Sequence, residues 1–70
     1  MENKGMIKLE TILAERGMSK QNFAYSIGVS RAALYRYIHG DRKPTYDICV
    51  RMMQVLNLTR YEFMTLFEDD

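Results

Sequence analysis

The 70-residue sequence predicts an all-α protein, a compact five-helix bundle. Three observations point there. Apolar residues recur at three- and four-residue intervals, the spacing of one helix face, and no stretch alternates as a half-buried strand would. Gly17, Gly28, Gly40, Pro44 and Asn57 cut the chain into five short segments. A hydrophobic content of 47% against 27% charged residues supports a core and is too evenly mixed for a disordered tail.

The first helix is expected from about Met6 to Arg16, with Met6, Leu9, Ile12 and Leu13 forming one apolar stripe. Gly17 suits the left-handed position that stops it. Ser19 is a fitting N-cap for a second helix that carries Phe23, Ala24 and Ile27 on one side, with Gly28 reversing the chain after it. Ser30 caps a third, with Leu34, Tyr37 and Ile38 inward, Arg31, Ala32, Tyr35 and Arg36 outward, and Gly40 at its end. After the polar turn Asp41-Arg42-Lys43-Pro44, Thr45 opens a fourth helix with Cys49, Met52, Met53 and Leu56 at helical spacing. Asn57 takes the left-handed stop there. Thr59-Arg60-Tyr61-Glu62 matches the capping box and starts a fifth helix bearing Phe63, Leu66 and Phe67.

At about 100–200 residues per domain, this length suits one domain, read as residues 6–67 with short termini at 1–5 and 68–70. A single cysteine cannot form an internal disulfide, and no run of 18 apolar residues or secretory apolar stretch is present. These features predict a soluble cytoplasmic protein without a membrane partner. No catalytic serine, histidine and acid set, carboxylate pair or glycine-rich phosphate loop stands out, so no enzyme is expected. His39 has no second ligand at metal spacing, and neither a metal nor another cofactor is expected. Cys49 reads as a core residue.

The net charge of +1 conceals an asymmetry. Residues 16–51 hold seven basic side chains against Asp41 and Asp47, a net +5, while the remainder sums to −4 with acid at both ends. The middle of the chain is therefore the electrostatic candidate for a polyanionic partner.

Within it, the segments 19–27 and 30–40 are joined by only Gly28-Val29-Ser30, which forces two helices to cross steeply. Ala24 lets them approach, and Phe23, Ile27, Val29 and Leu34 seal the angle, as in a helix-turn-helix. A second helix so placed can enter a major groove about 12 Å wide. Over residues 6–64 the chain resembles the phage repressor and Cro-like (XRE-type) helix-turn-helix family, the lambda repressor-like DNA-binding domains. The resemblance rests on Gly17-Met18-Ser19-Lys20, on Phe23-Ala24-Tyr25-Ser26-Ile27-Gly28-Val29-Ser30-Arg31, on Leu34-Tyr35-Arg36-Tyr37-Ile38-His39-Gly40, on Arg42-Lys43-Pro44 and on Leu56-Asn57-Leu58-Thr59. There are three departures, one of them Asn57 at a position that usually carries glycine. Lys20 stands where the family often has glutamine. Leu13 and Ile38 stand where it commonly has a buried arginine–glutamate pair, so an apolar contact is expected in its place.

The resemblance implies sequence-specific binding to double-stranded DNA by a bacterial or phage-encoded transcriptional regulator, a repressor acting as a homodimer on a pseudo-palindromic operator. It implies base reading by Arg31, Ala32, Tyr35 and Arg36, arginine being suited to guanine and alanine to a thymine methyl. Phosphate contacts are expected from Ser19, Lys20, Gln21, Ser30, His39, Arg42 and Lys43. Arg60, Tyr61, Met64 and Phe67 are the candidates for a two-fold interface, unless Leu66 and Phe67 fold back over the first helix. Other readings remain open: an antitoxin-type regulator with a toxin or other regulatory protein as partner, an excision accessory factor, or, from a different class, a protein-interaction module that keeps the fold without binding DNA.

Overall fold

The structure, a computed structural model, describes residues 5–67. Five helices follow one another: α1 (Ile7–Glu15), α2 (Lys20–Ile27), α3 (Arg31–His39), α4 (Tyr46–Leu56) and α5 (Arg60–Met64). A 3₁₀ turn, Thr65–Phe67, continues α5, and no strand occurs among the described residues. Among the described residues, no helix is long and apolar enough to cross a membrane. Of the acids expected towards the two ends, Glu2, Glu68, Asp69 and Asp70 lie outside the described residues.

Local chemistry sets the boundaries. Ser19, Ser30 and Thr45 accept hydrogen bonds from the backbone N–H groups of Asn22, Ala33 and Ile48, and so satisfy donors that a helix leaves orphaned. At α5 the capping box closes in both directions, with Thr59 N–H donating to Glu62 Oε1 at 2.8 Å and Glu62 N–H to Thr59 Oγ1 at 3.1 Å. The first four helices end alike. Gly17, Gly28, Gly40 and Asn57 are left-handed, and the next residue's N–H returns to the carbonyl five positions back: Met18 to Leu13, Val29 to Ala24, Asp41 to Arg36, and Leu58 to Met53.

The expected fifth helix is shorter than the reading to Phe67. Thr65 donates its hydroxyl to Glu62 O at 2.6 Å, and the chain tightens into the 3₁₀ turn. This turn packs on α1, burying Leu66 and half-burying Phe67, whose ring meets Phe63 edge-on at 5.6 Å.

One core holds the helices together. It takes Met6, Leu9 and Leu13 from the first segment, Phe23, Ala24 and Ile27 from α2, and Leu34, Tyr37 and Ile38 from α3, with Met52, Leu56, Phe63 and Leu66 closing it. Leu13 and Ile38 are both buried here, where the related pattern would place charge. Fully burying such a side chain contributes about 1.5–3 kcal/mol. Gly5 belongs to the packed fold although the sequence reading leaves it in the terminus. Met6 N–H donates to Ile38 O at 2.8 Å, and a Cβ on Gly5 would lie 2.0 Å from that oxygen. The N-terminal segment is thereby fastened to the last turn of α3.

Candidate nucleic-acid interface

α2 and α3 meet across the three-residue turn Gly28-Val29-Ser30, as the spacing predicts. α3 divides cleanly. Leu34, Tyr37 and Ile38 are buried, while Arg31, Ala32, Tyr35, Arg36 and His39 are exposed. All four residues expected to read bases line one open groove of about 500 Å³. Asp41, which sequence reasoning did not assign, lines it too. The left-handed Gly40 folds the chain back so that Asp41 and Arg42 both donate backbone N–H groups to Arg36 O, at 2.9 and 3.3 Å. Asp41 is thereby brought to the groove that the arginines line. Tyr35 stacks on His39 one turn later, with ring centroids 4.0 Å apart, rather than standing alone on the outer face.

The expected phosphate-binding residues do not line this groove; they lie on α2, on α3 and in the turns that flank them. Ser19 and Ser30 cap α2 and α3 and are exposed; each hydroxyl accepts from the backbone and keeps its own proton to donate. Gln21 is exposed in the first turn of α2, and Arg42 and Lys43 are exposed in the turn after α3. Lys20 is not free: its Nζ lies 2.6 Å from Glu10 Oε2 on α1. Lys20 is exposed and Glu10 partly so, and a solvent-accessible pair of this kind is worth only about 0–1 kcal/mol, weak enough to open for a phosphate. Nothing in the spacing of residues 10 and 20 signals the pair, because it depends on how α1 crosses the start of α2.

The remaining candidates lie on α5 and its extension. Tyr61 is 80% exposed, Met64 55%, and Arg60 is exposed, whereas Phe67 is half-buried. Arg60, Met64 and Phe67 line a second, apolar groove of about 480 Å³, whose opposite wall includes Pro44, Tyr46, Cys49 and Met53, with Lys43 also bordering it. The Cys49 thiol points to Pro44 O at 3.9 Å, and burial raises its pKa, which disfavours the reactive thiolate. No cluster of metal-ligating side chains occurs among the described residues.

A helix-turn-helix family model matches residues 9–63. Two solved structures share the fold. The restriction-modification controller protein C.AhdI from Aeromonas hydrophila superposes with a TM-score of 0.73 at 17% identity, covering 83% of this chain and 89% of its own. A Y37A mutant of the restriction-modification controller protein C.Esp1396I gives 0.70 at 20% identity, covering 90% of this chain and 84% of its own. No match was found among curated proteins.

Proposed function

This chain belongs to the helix-turn-helix family of the Cro/C1 (XRE) type and is a DNA-binding transcriptional regulator; from that premise we propose that it is a repressor whose α3 reads base edges in the major groove while α2 and the flanking turns hold the phosphates. The observation that carries this reading is the exposed face of α3, where Arg31, Ala32, Tyr35 and Arg36 share one groove. Arginine's planar fork matches guanine O6 and N7, and Ala32 permits close approach beside it. Ser19, Lys20, Gln21, Ser30, His39, Arg42 and Lys43 supply the surrounding phosphate contacts.

We propose further that it acts as a homodimer on a two-fold operator. α3 has nine residues and spans about 14 Å, so a single copy reads only a few base pairs. Half-sites one turn apart are separated by about 34–36 Å, close to the molecule's longest dimension of 31 Å, so copies on neighbouring half-sites come edge to edge. We assign this contact to the apolar groove between α4 and α5, which Lys43 in the turn after α3 borders. A second copy seated there covers Met64, which lines the groove and is otherwise exposed.

Binding-site selection from random duplex DNA tests both statements. The expected product is an inverted repeat with half-site centres about 10 base pairs apart. A pool that shifts with the protein but never enriches a sequence would contradict the reading.

A further inference from the structure

Arg51 stands on the outer surface of α4, yet its Nη1 reaches back 24 residues and donates to Ile27 O at 3.2 Å. Ile27 is the last residue of α2, so this carbonyl is one of the acceptors that the end of a helix leaves unpaired. A guanidinium also suits the negative end of the helix dipole. Gly28, which follows, is left-handed at φ 79°, and a Cβ added to it would lie 2.9 Å from the same Nη1. The turn between α2 and α3 thus has the arginine of a third helix resting on it, in space that only the absence of a side chain at Gly28 leaves open.

We propose that Arg51 is a positioning residue for DNA recognition: by fastening the end of α2 to α4 it sets the direction in which α3 leaves the turn, and with it the aim of Arg31 and Arg36. Arg51 acts through Ile27 and the turn, without touching the nucleic acid. The proposal rests on the reading that α3 contacts bases. It requires arginine's reach and fixed donor geometry, which a shorter or apolar side chain does not reproduce.

The test compares Arg51→Met and Arg51→Lys with the wild type on two probes: the duplex that the wild type selects and a scrambled duplex of equal composition. Arg51→Met keeps most of the apolar stem and loses the hydrogen bond. Its preference for the selected duplex is expected to fall about tenfold with the salt dependence little changed, and Arg51→Lys is expected to recover part of the loss. In the same Met variant, amide exchange at Val29 N–H should accelerate relative to buried amides such as that of Met52. A uniform loss on both duplexes with a salt slope reduced by about 0.9 would make Arg51 a phosphate contact and overturn the proposal. A lower melting temperature with unchanged preference and no selective acceleration at Val29 would overturn it as well, leaving only a general structural role. A wild type that does not distinguish the two duplexes overturns the DNA reading itself, and the exchange at Val29 then still decides whether the clamp holds the turn.

Discussion

At the scale of single residues, Lys20 pairs with Glu10 in the free protein, so the proposed phosphate contact would exchange one anion for another. The expected consequence is coupling: Lys20→Ala should weaken binding less in the wild type than in a Glu10→Gln background, where the lysine is unpaired and its full counterion contribution, about 0.9 in the salt slope, becomes available. Equilibrium titrations of the four variants across a salt series measure this, and additive effects would show that Glu10 does not compete. Arg42 and Lys43 have no such partner among the described residues. Replacing either by alanine should weaken the selected and the scrambled duplex about equally and lower the slope by about 0.9.

At the scale of elements, the shortest helix depends most on its cap. Glu62 accepts the Thr59 backbone N–H, and this bond, followed by the interaction with the Thr59 side chain and the charge of Arg16, holds its carboxyl below the usual value. A carboxyl depressed in the folded state contributes stability above its unfolded pKa and loses it as pH falls through the folded one. Acidification below the ordinary glutamate range should therefore loosen α5 first, seen as faster exchange at the Phe63 amide. Glu62→Gln, which can still accept from Thr59, should remove that pH dependence. The packing of α1 on α3 gives a second prediction. Ile38→Glu buries an unpaired carboxylate and should cost about 3–5 kcal/mol in denaturant unfolding, and adding Leu13→Arg should recover part of it. Absence of coupling in that cycle would show that the two side chains do not touch. These elements were legible because their causes are local. Ser19, Ser30, Thr45 and the Thr59–Glu62 box act within one turn, and Gly17, Gly28, Gly40 and Asn57 act through their own backbone. The Lys20–Glu10 pair, the Arg51 bond to Ile27 and the close approach of Gly5 to α3 were hidden, since each depends on where one helix lies against another. Asp41 escaped assignment for a related reason: only the reversal at Gly40 brings a loop acid to the groove lined by Arg31 and Arg36.

At the scale of the whole molecule, a small core presents α3 on one surface and an apolar groove beside it. Self-association and stability should separate by residue. Met64→Glu, at an exposed position, should lower self-association in sedimentation and convert cooperative operator binding into weak half-site binding at nearly unchanged melting temperature. Phe67→Ser should also lower the melting temperature, because that ring packs against Phe63. An unchanged monomer–dimer equilibrium in both variants would remove the groove from the dimer. The central claim, that the outer face of α3 reads the sequence, is tested most directly by repeating binding-site selection with Arg31→Ala and Arg36→Ala. The account predicts that each variant relaxes preference at its own position in the half-site, with a loss of about 1–3 kcal/mol on the wild-type site. Recovery of the unaltered wild-type motif at undiminished affinity by both variants would contradict it.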